Sequence, residues 1–214
     1  MVVPTQLTIY GVRVPQLRQI ARDWQRTHKQ ITRTDHLALV EALWEGQSRE
    51  ERLLAVYLLE RYHRWIPELN WADFDRWRRR VDNWEVGDGL AMWVLGPWLL
   101  ADPQGRLDHL RQLIPDPELW SRRLALVATV PVNRSGPGFA VPELTLELVG
   151  RVRAERDPMI TKAVSWALRG LAEVHPKPVA AYLEANRDLL APLVVREVSA
   201  KLSTGLKSGR SSPR

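Results

Sequence analysis

The sequence predicts an all-α, single-domain solenoid, and three observations carry that expectation. Apolar residues recur at helical spacing along most of the 214-residue chain. No stretch shows the strict alternation of a half-buried strand. Short breaks at proline or glycine separate the helical segments, in the repeated order of stacked helix pairs.

Each element has its own signal. In "VPQLRQIARDW", Val14, Leu17, Ile20, Ala21 and Trp24 form one stripe. "SREERLLAVYLLERYH" opens with Ser48 three residues before Glu51, a capping box, and then runs apolar. Further helices are predicted over about 34–46, 70–80, 83–96, 105–114, 117–130, 142–155, 158–174, 176–186 and 190–202. Gly46, Pro67, Pro103, Pro115, Pro131, Pro158 and Pro176 mark the breaks. The domain is placed at residues 1–202. Residues 203–214, "STGLKSGRSSPR", read as a basic, disordered tail.

Composition narrows the function classes. Forty-five per cent hydrophobic residues and 26% charged ones describe a folded domain. The chain has no cysteine, which excludes disulfides and thiolate zinc sites. The five histidines fall on separate segments without metal-ligand spacing, and no phosphate-cradling glycine loop or GxSxG elbow occurs. With no signal peptide or membrane span in view, the expected location is cytoplasmic. A net charge of +6, carried almost wholly by arginine, is compatible with nucleic acid. Ten tryptophans against two phenylalanines exceed what a core of this size needs.

Four charged residues outline an internal period. Arg52, Asp88, Arg123 and Lys162 each precede a run of small and aliphatic residues, at separations of 36, 35 and 39. Equivalent positions on successive inner helices would line one concave face. In "WEVGDGLAMW", Trp84 and Asp88 lie four apart and share a face. Gly87 and Gly89 are expected to thin the helix so that a partner can reach the carboxylate; the alternative is that they admit a neighbouring helix while Asp88 pairs with a structural arginine. In "ELWSRRLALV", Trp120 precedes the pair Arg122–Arg123, of which only one can face a given groove. In "KAVSWALRG", Lys162, Trp166 and Arg169 cover one face. Aromatic faces beside cations suit nucleic-acid backbones and exposed bases, whereas the alternative for Arg122–Arg123 is a solvated pair and that for Trp166 is the core. Trp24 and Trp44 lie on stripes assigned to packing. Glu50–Glu51 and Asp73–Asp75 read as first-turn helix charges without a catalytic part.

Taken together, "YGVRVPQLRQIAR", "ALWEGQSREERLLAVYLLE", "NWEVGDG", "LWSRRLAL" and "KAVSWALR" resemble the DNA alkylation repair family, the AlkD-like alkylpurine DNA glycosylases built from HEAT-like repeats. The resemblance covers about residues 9–200. It implies a catalytic aspartate at Asp88, cleft tryptophans at Trp84 and Trp166, and a cleft arginine at Arg123, with Arg122 as the alternative register. Trp120, Lys162 and Arg169 are the further expected DNA contacts.

The implied activity is hydrolysis of the N-glycosidic bond of cationic N3- or N7-alkylated purines in duplex DNA. It is expected of a monomer that uses neither a metal nor an organic cofactor and has no membrane partner. An alkylated purine leaves as a neutral base, so one carboxylate that stabilises positive charge on the sugar suffices. Two other functions fit the same helical architecture: a non-catalytic member that binds DNA structure, and a protein–protein scaffold.

Overall fold

The computed structural model describes residues 5–136 and 138–207, so the end of the expected tail, 208–214, lies outside the described residues. Helices succeed one another from Val14 to Thr204, and the only β pairing among the described residues is an isolated bridge between Thr8 and Ser48. Contacts divide the chain into two compact units, with the division between Asp102 and Pro103.

In the first unit, helix α1 spans Val14–Thr27, α2 Arg33–Glu45 and α3 Arg49–Arg61. A 3₁₀ segment over His63–Glu68 leads to α4, Trp71–Arg78, and to α5, Trp84–Leu90. Helix α3 is central and packs on α1, α2 and α5. Its middle, Leu53 to Leu59, is apolar all round, and such a stretch is stable only when neighbours cover every side. The capping box is present: the Ser48 hydroxyl accepts from the Glu51 amide at 3.1 Å and Glu51 accepts from the Ser48 amide at 2.9 Å. Trp44 is fully buried and donates from Nε1 to the Trp77 carbonyl at 3.0 Å, as its packing assignment requires. Trp24 is only half-buried, with its ring stacked 3.6 Å from that of His28. His36 lies buried against Tyr62 and Trp65. Burial, and then the nearby Arg64 charge, push its pKa down to about 4, so the ring stays neutral.

One helical run differs from its expected form. Instead of ending at 96, it continues through a π-helical turn, Ala91–Leu95, into α6, Gly96–Ala101. The cause lies at Pro97. A proline removes one amide donor and its ring collides with the carbonyl four residues earlier; widening the turn before it relieves both. The Gly96 amide accordingly donates to the Ala91 carbonyl, five residues back.

The second unit holds α7 (Pro103–Arg106), α8 (Asp108–Leu113), α9 (Leu119–Arg134), α10 (Pro142–Val152), α11 (Pro158–Ala172), α12 (Pro176–Ala185) and α13 (Pro192–Thr204). Helices α9, α11 and α13 pack in series, while α8 packs on α9, α10 on α9 and α11, and α12 on α11 and α13. Three expected boundaries shift. The segment 105–114 divides into α7 and α8. Pro131 does not end α9, which runs on to Arg134 with the proline inside it. Helix α13 reaches Thr204, so the tail begins later than 203; Gly205, at φ +74°, supplies the left-handed cap.

The internal period reappears as polar struts. Arg49 pairs with Glu85 at 2.7 Å, Arg76 with Glu41 at 2.5 Å and Arg111 with Glu147 at 2.8 Å, at sequence separations of 36, 35 and 36. A strut that recurs one repeat apart is what stacked helix pairs produce.

Candidate nucleic-acid interface

The start of α5 is fixed by its sequence. Asn83 caps the helix, its side-chain oxygen accepting from the Val86 amide at 3.0 Å. Asp82 anchors the cap from outside: the Thr5 hydroxyl at 2.5 Å, the Gln6 amide and the Asn83 amide group all donate to it. Burial pushes the Asp82 carboxyl up, but these bonds and nearby Arg52 outweigh it and hold the pKa below the ordinary range. Trp84 and Asp88 follow one turn apart, both half-buried.

The flanking glycines do not open the helix to a partner, and that expectation is corrected. A Cβ on Gly87 would lie 3.1 Å from Val81, and one on Gly89 would lie 3.1 Å from Trp93 and 3.2 Å from Val56. Both glycines are buried and admit neighbouring side chains, as the packing alternative holds.

Behind α5 lies a cluster that sequence reasoning missed. The Arg18 guanidinium sits 4.4 Å from the Tyr57 ring and 4.4 Å from the Trp93 ring, and pairs with Glu60 at 2.9 Å. Beside it, Arg49 binds Glu85 through two 2.7 Å bonds and Glu50 at 3.1 Å. Glu50 in turn accepts from the amides of Tyr10 at 3.1 Å and Gly11 at 3.0 Å. It is therefore a clamp on the preceding segment and more than a first-turn charge.

In the second unit, Trp120 and Arg122 lie half-buried at the start of α9, while Arg123 is only 5% exposed. Arg122 donates to the Asp116 and Pro117 carbonyls at 2.8 and 2.7 Å and pairs with Glu155 at 3.2 Å. Arg123 donates to the Met159 carbonyl at 2.5 Å, at the beginning of α11. A phosphate has little of Arg123 left to touch, because its guanidinium is turned inward to α11. On α11, Lys162 is exposed and Trp166 half-buried. Arg169 is held at 3.2 Å by Ser165 and at 3.6 Å by Glu197; burial, only partly offset by Glu197, pushes its pKa down.

The four periodic charges occupy matching places: Arg52 is the fourth residue of α3, and Asp88, Arg123 and Lys162 are the fifth of α5, α9 and α11. The three tryptophans do not match. Trp84 and Trp120 are first and second in their helices, whereas Trp166 lies two turns deeper in α11.

Such an all-helical arrangement of stacked pairs defines a helical-repeat protein, and comparison with solved structures places it more closely. It shares its fold with a "Predicted DNA alkylation repair enzyme" of Enterococcus faecalis, at TM-score 0.73 and 18% identity over 92% of this chain and 90% of that one. AlkD2 from Streptococcus mutans matches at TM-score 0.59 and 16% identity, covering 91% and 90%. The smu.31 protein of Streptococcus mutans UA159 matches at TM-score 0.61 and 16% identity, covering 90% and 92%. No curated protein matches the sequence. The model of the DNA alkylation repair enzyme family matches residues 2–202, and the chain belongs to that family. Among the described residues, no helix is long and apolar enough to cross a membrane.

Proposed function

We propose that the protein is a monofunctional DNA glycosylase that hydrolyses the N-glycosidic bond of N3- and N7-alkylated purines in duplex DNA. The observation that carries this reading is the Trp84–Asp88 pair, one turn apart on a capped helix and both accessible to a partner. Asp88 supplies the negative charge opposite the sugar as its bond to the cationic base lengthens, and orients the water that completes hydrolysis. Trp84 offers a ring face to the cationic nucleotide, and Trp166 is a further aromatic contact for DNA carried by the second unit. Trp120, Arg122, Lys162 and Arg169 contribute contacts to the DNA backbone without reading sequence. Arg123 holds the start of α11 and so acts through position. No metal or organic cofactor enters this scheme.

The test is direct. Incubated with duplex DNA carrying 7-methylguanine, the protein should release the free base and leave an abasic site, as chromatography of the supernatant reads out. Tight, salt-sensitive binding without release would make it a DNA binder alone. Absence of both would make it a scaffold.

A further inference from the structure

The first unit carries a groove of about 730 Å³ that the activity above does not use. One wall is the C-terminal half of α1, where Arg22 and Arg26 lie four apart on one face, and the turn after it, which carries Lys29. The other wall is the end of α3 and the 3₁₀ segment, contributing Arg61 and Arg64. All five cations are exposed, and a single carboxylate, Asp23, lines the same groove.

Their neutralisation is incomplete in a specific way. Asp23 is taken up by Arg26 at 3.0 Å. Arg61 donates to the Gln25 side-chain oxygen at 2.9 and 2.8 Å, and Arg22 to that of Gln19 at 2.6 Å. Amide oxygens position a guanidinium but leave its charge whole. The Gln25 amide also donates to the Arg61 carbonyl at 2.5 Å, which ties the two walls together. Cations near a helix C-terminus offset the macrodipole, yet that effect accounts for one or two charges at each end. It does not explain five that converge on one groove.

We propose that this groove is a second DNA-backbone site, engaging phosphates beyond the nucleotide held at Trp84 and Asp88. Eight of the ten lining residues carry charged or amide side chains, five of them cationic, whereas a small-molecule pocket is lined mainly by apolar and aromatic ones. Arg22 and Arg26 stand about 6 Å apart along α1 at 1.5 Å per residue, the span of about two phosphates at 3.4 Å along one strand, and Lys29 continues the cationic wall beyond the helix end. Helix α3 sets the distance to α5: Arg49, bonded to Glu85, begins it and Arg61 ends it. Twelve residue steps make about 18 Å, or about five base pairs. The site therefore lengthens the contact with flanking duplex and contributes affinity with no sequence preference.

The inference rests on the DNA reading above, and its test is separable from it. The logarithm of the affinity of the full chain for a 21-base-pair duplex is measured against the logarithm of salt concentration. Arg22→Gln/Lys29→Gln/Arg64→Gln should lower the slope by about one unit for each lost phosphate contact, up to about three. Lys177→Gln/Arg187→Gln/Arg196→Gln, which removes the same charge from exposed positions of the second unit, should lower it by less than one. Equal slopes for the groove variant and wild type overturn the proposal. Saturable binding of inorganic pyrophosphate that the groove variant abolishes, with an unchanged DNA slope, overturns it in favour of a free phosphate ligand. Release of methylated base by wild type with an unaltered groove slope removes this site alone. A lowered slope in a protein that releases no base keeps the site and removes the activity.

Discussion

Helices α3 and α9 use their periodic charge in one way, and α5 uses it in another. Arg52 and Arg123 are 9% and 5% exposed, and each reaches forward to a backbone carbonyl near the start of the next inner helix, that of Arg80 or of Met159. They are struts. At the equivalent place α5 has Asp88, which as a carboxylate can only accept, and which keeps part of its surface open. Where α3 and α9 carry a buried donor, α5 carries a part-exposed acceptor, and a change of chemistry at one equivalent position of a repeat is where a role toward a ligand is to be sought.

Substitutions can break that contrast. The largest effect on folding is expected at Trp44, fully buried and bonded to the Trp77 carbonyl. Trp44→Ala should cost about 3–5 kcal/mol of stability in a denaturant titration. Trp84→Ala and Trp166→Ala, both at half-buried positions, should melt near wild type while excising alkylated bases poorly. A melting collapse for the second pair would place those rings in the core and remove them from the interface.

Asp88→Asn should leave the melting temperature unchanged and reduce single-turnover base release by about 100- to 1,000-fold, about 3–4 kcal/mol of transition-state stabilisation. Near wild-type release would end the assignment; loss of the circular dichroism signal would make Asp88 a structural residue like its counterparts.

Smaller and of opposite kind is the effect expected at the struts. Arg52→Met and Arg123→Met each remove a part-buried, charge-assisted hydrogen bond between successive helices, and each should cost about 1–3 kcal/mol of stability. The salt slope for DNA should hardly move. If Arg123→Met instead lowers that slope by a full unit with no loss of stability, Arg123 meets phosphate and the contrast with Asp88 dissolves.

Much of the fold was legible because periodic charges and proline breaks are local signals. The spacing of Arg52, Asp88, Arg123 and Lys162 locates four helices and a common position within them. Side-chain direction was less legible. "VGDGL" reads as a helix bared for access, but Val81, Val56 and Trp93 fill the space, and nothing in the string identifies which neighbour a missing Cβ admits. Pro131 reads as a break, although α9 carries it internally. The Arg18–Tyr57–Trp93 cluster escaped notice because its members come from α1, α3 and the π turn, far apart in sequence and joined only by packing. The string leaves Arg122 and Arg123 as two registers because adjacent residues differ by about 100° in phase and nothing local says which side packs; in the fold Arg123 is the more buried of the two.

The widened turn at Ala91–Leu95 fixes the azimuth of the residues before it. Each residue of an α-helix advances the phase by about 100°, so a turn with one extra residue rotates everything upstream by about that much relative to everything downstream. Downstream, Trp98 and Leu99 are locked in the core; upstream, Val86 and Leu90 are as well. Both halves bury their apolar faces only because the extra residue makes up the phase difference. In an uninterrupted helix with Trp98 and Leu99 still seated, the stripe bearing Trp84 and Asp88 would point about a quarter-turn away. The orientation of the candidate carboxylate is thus set by a proline nine residues downstream, through the pitch of one turn.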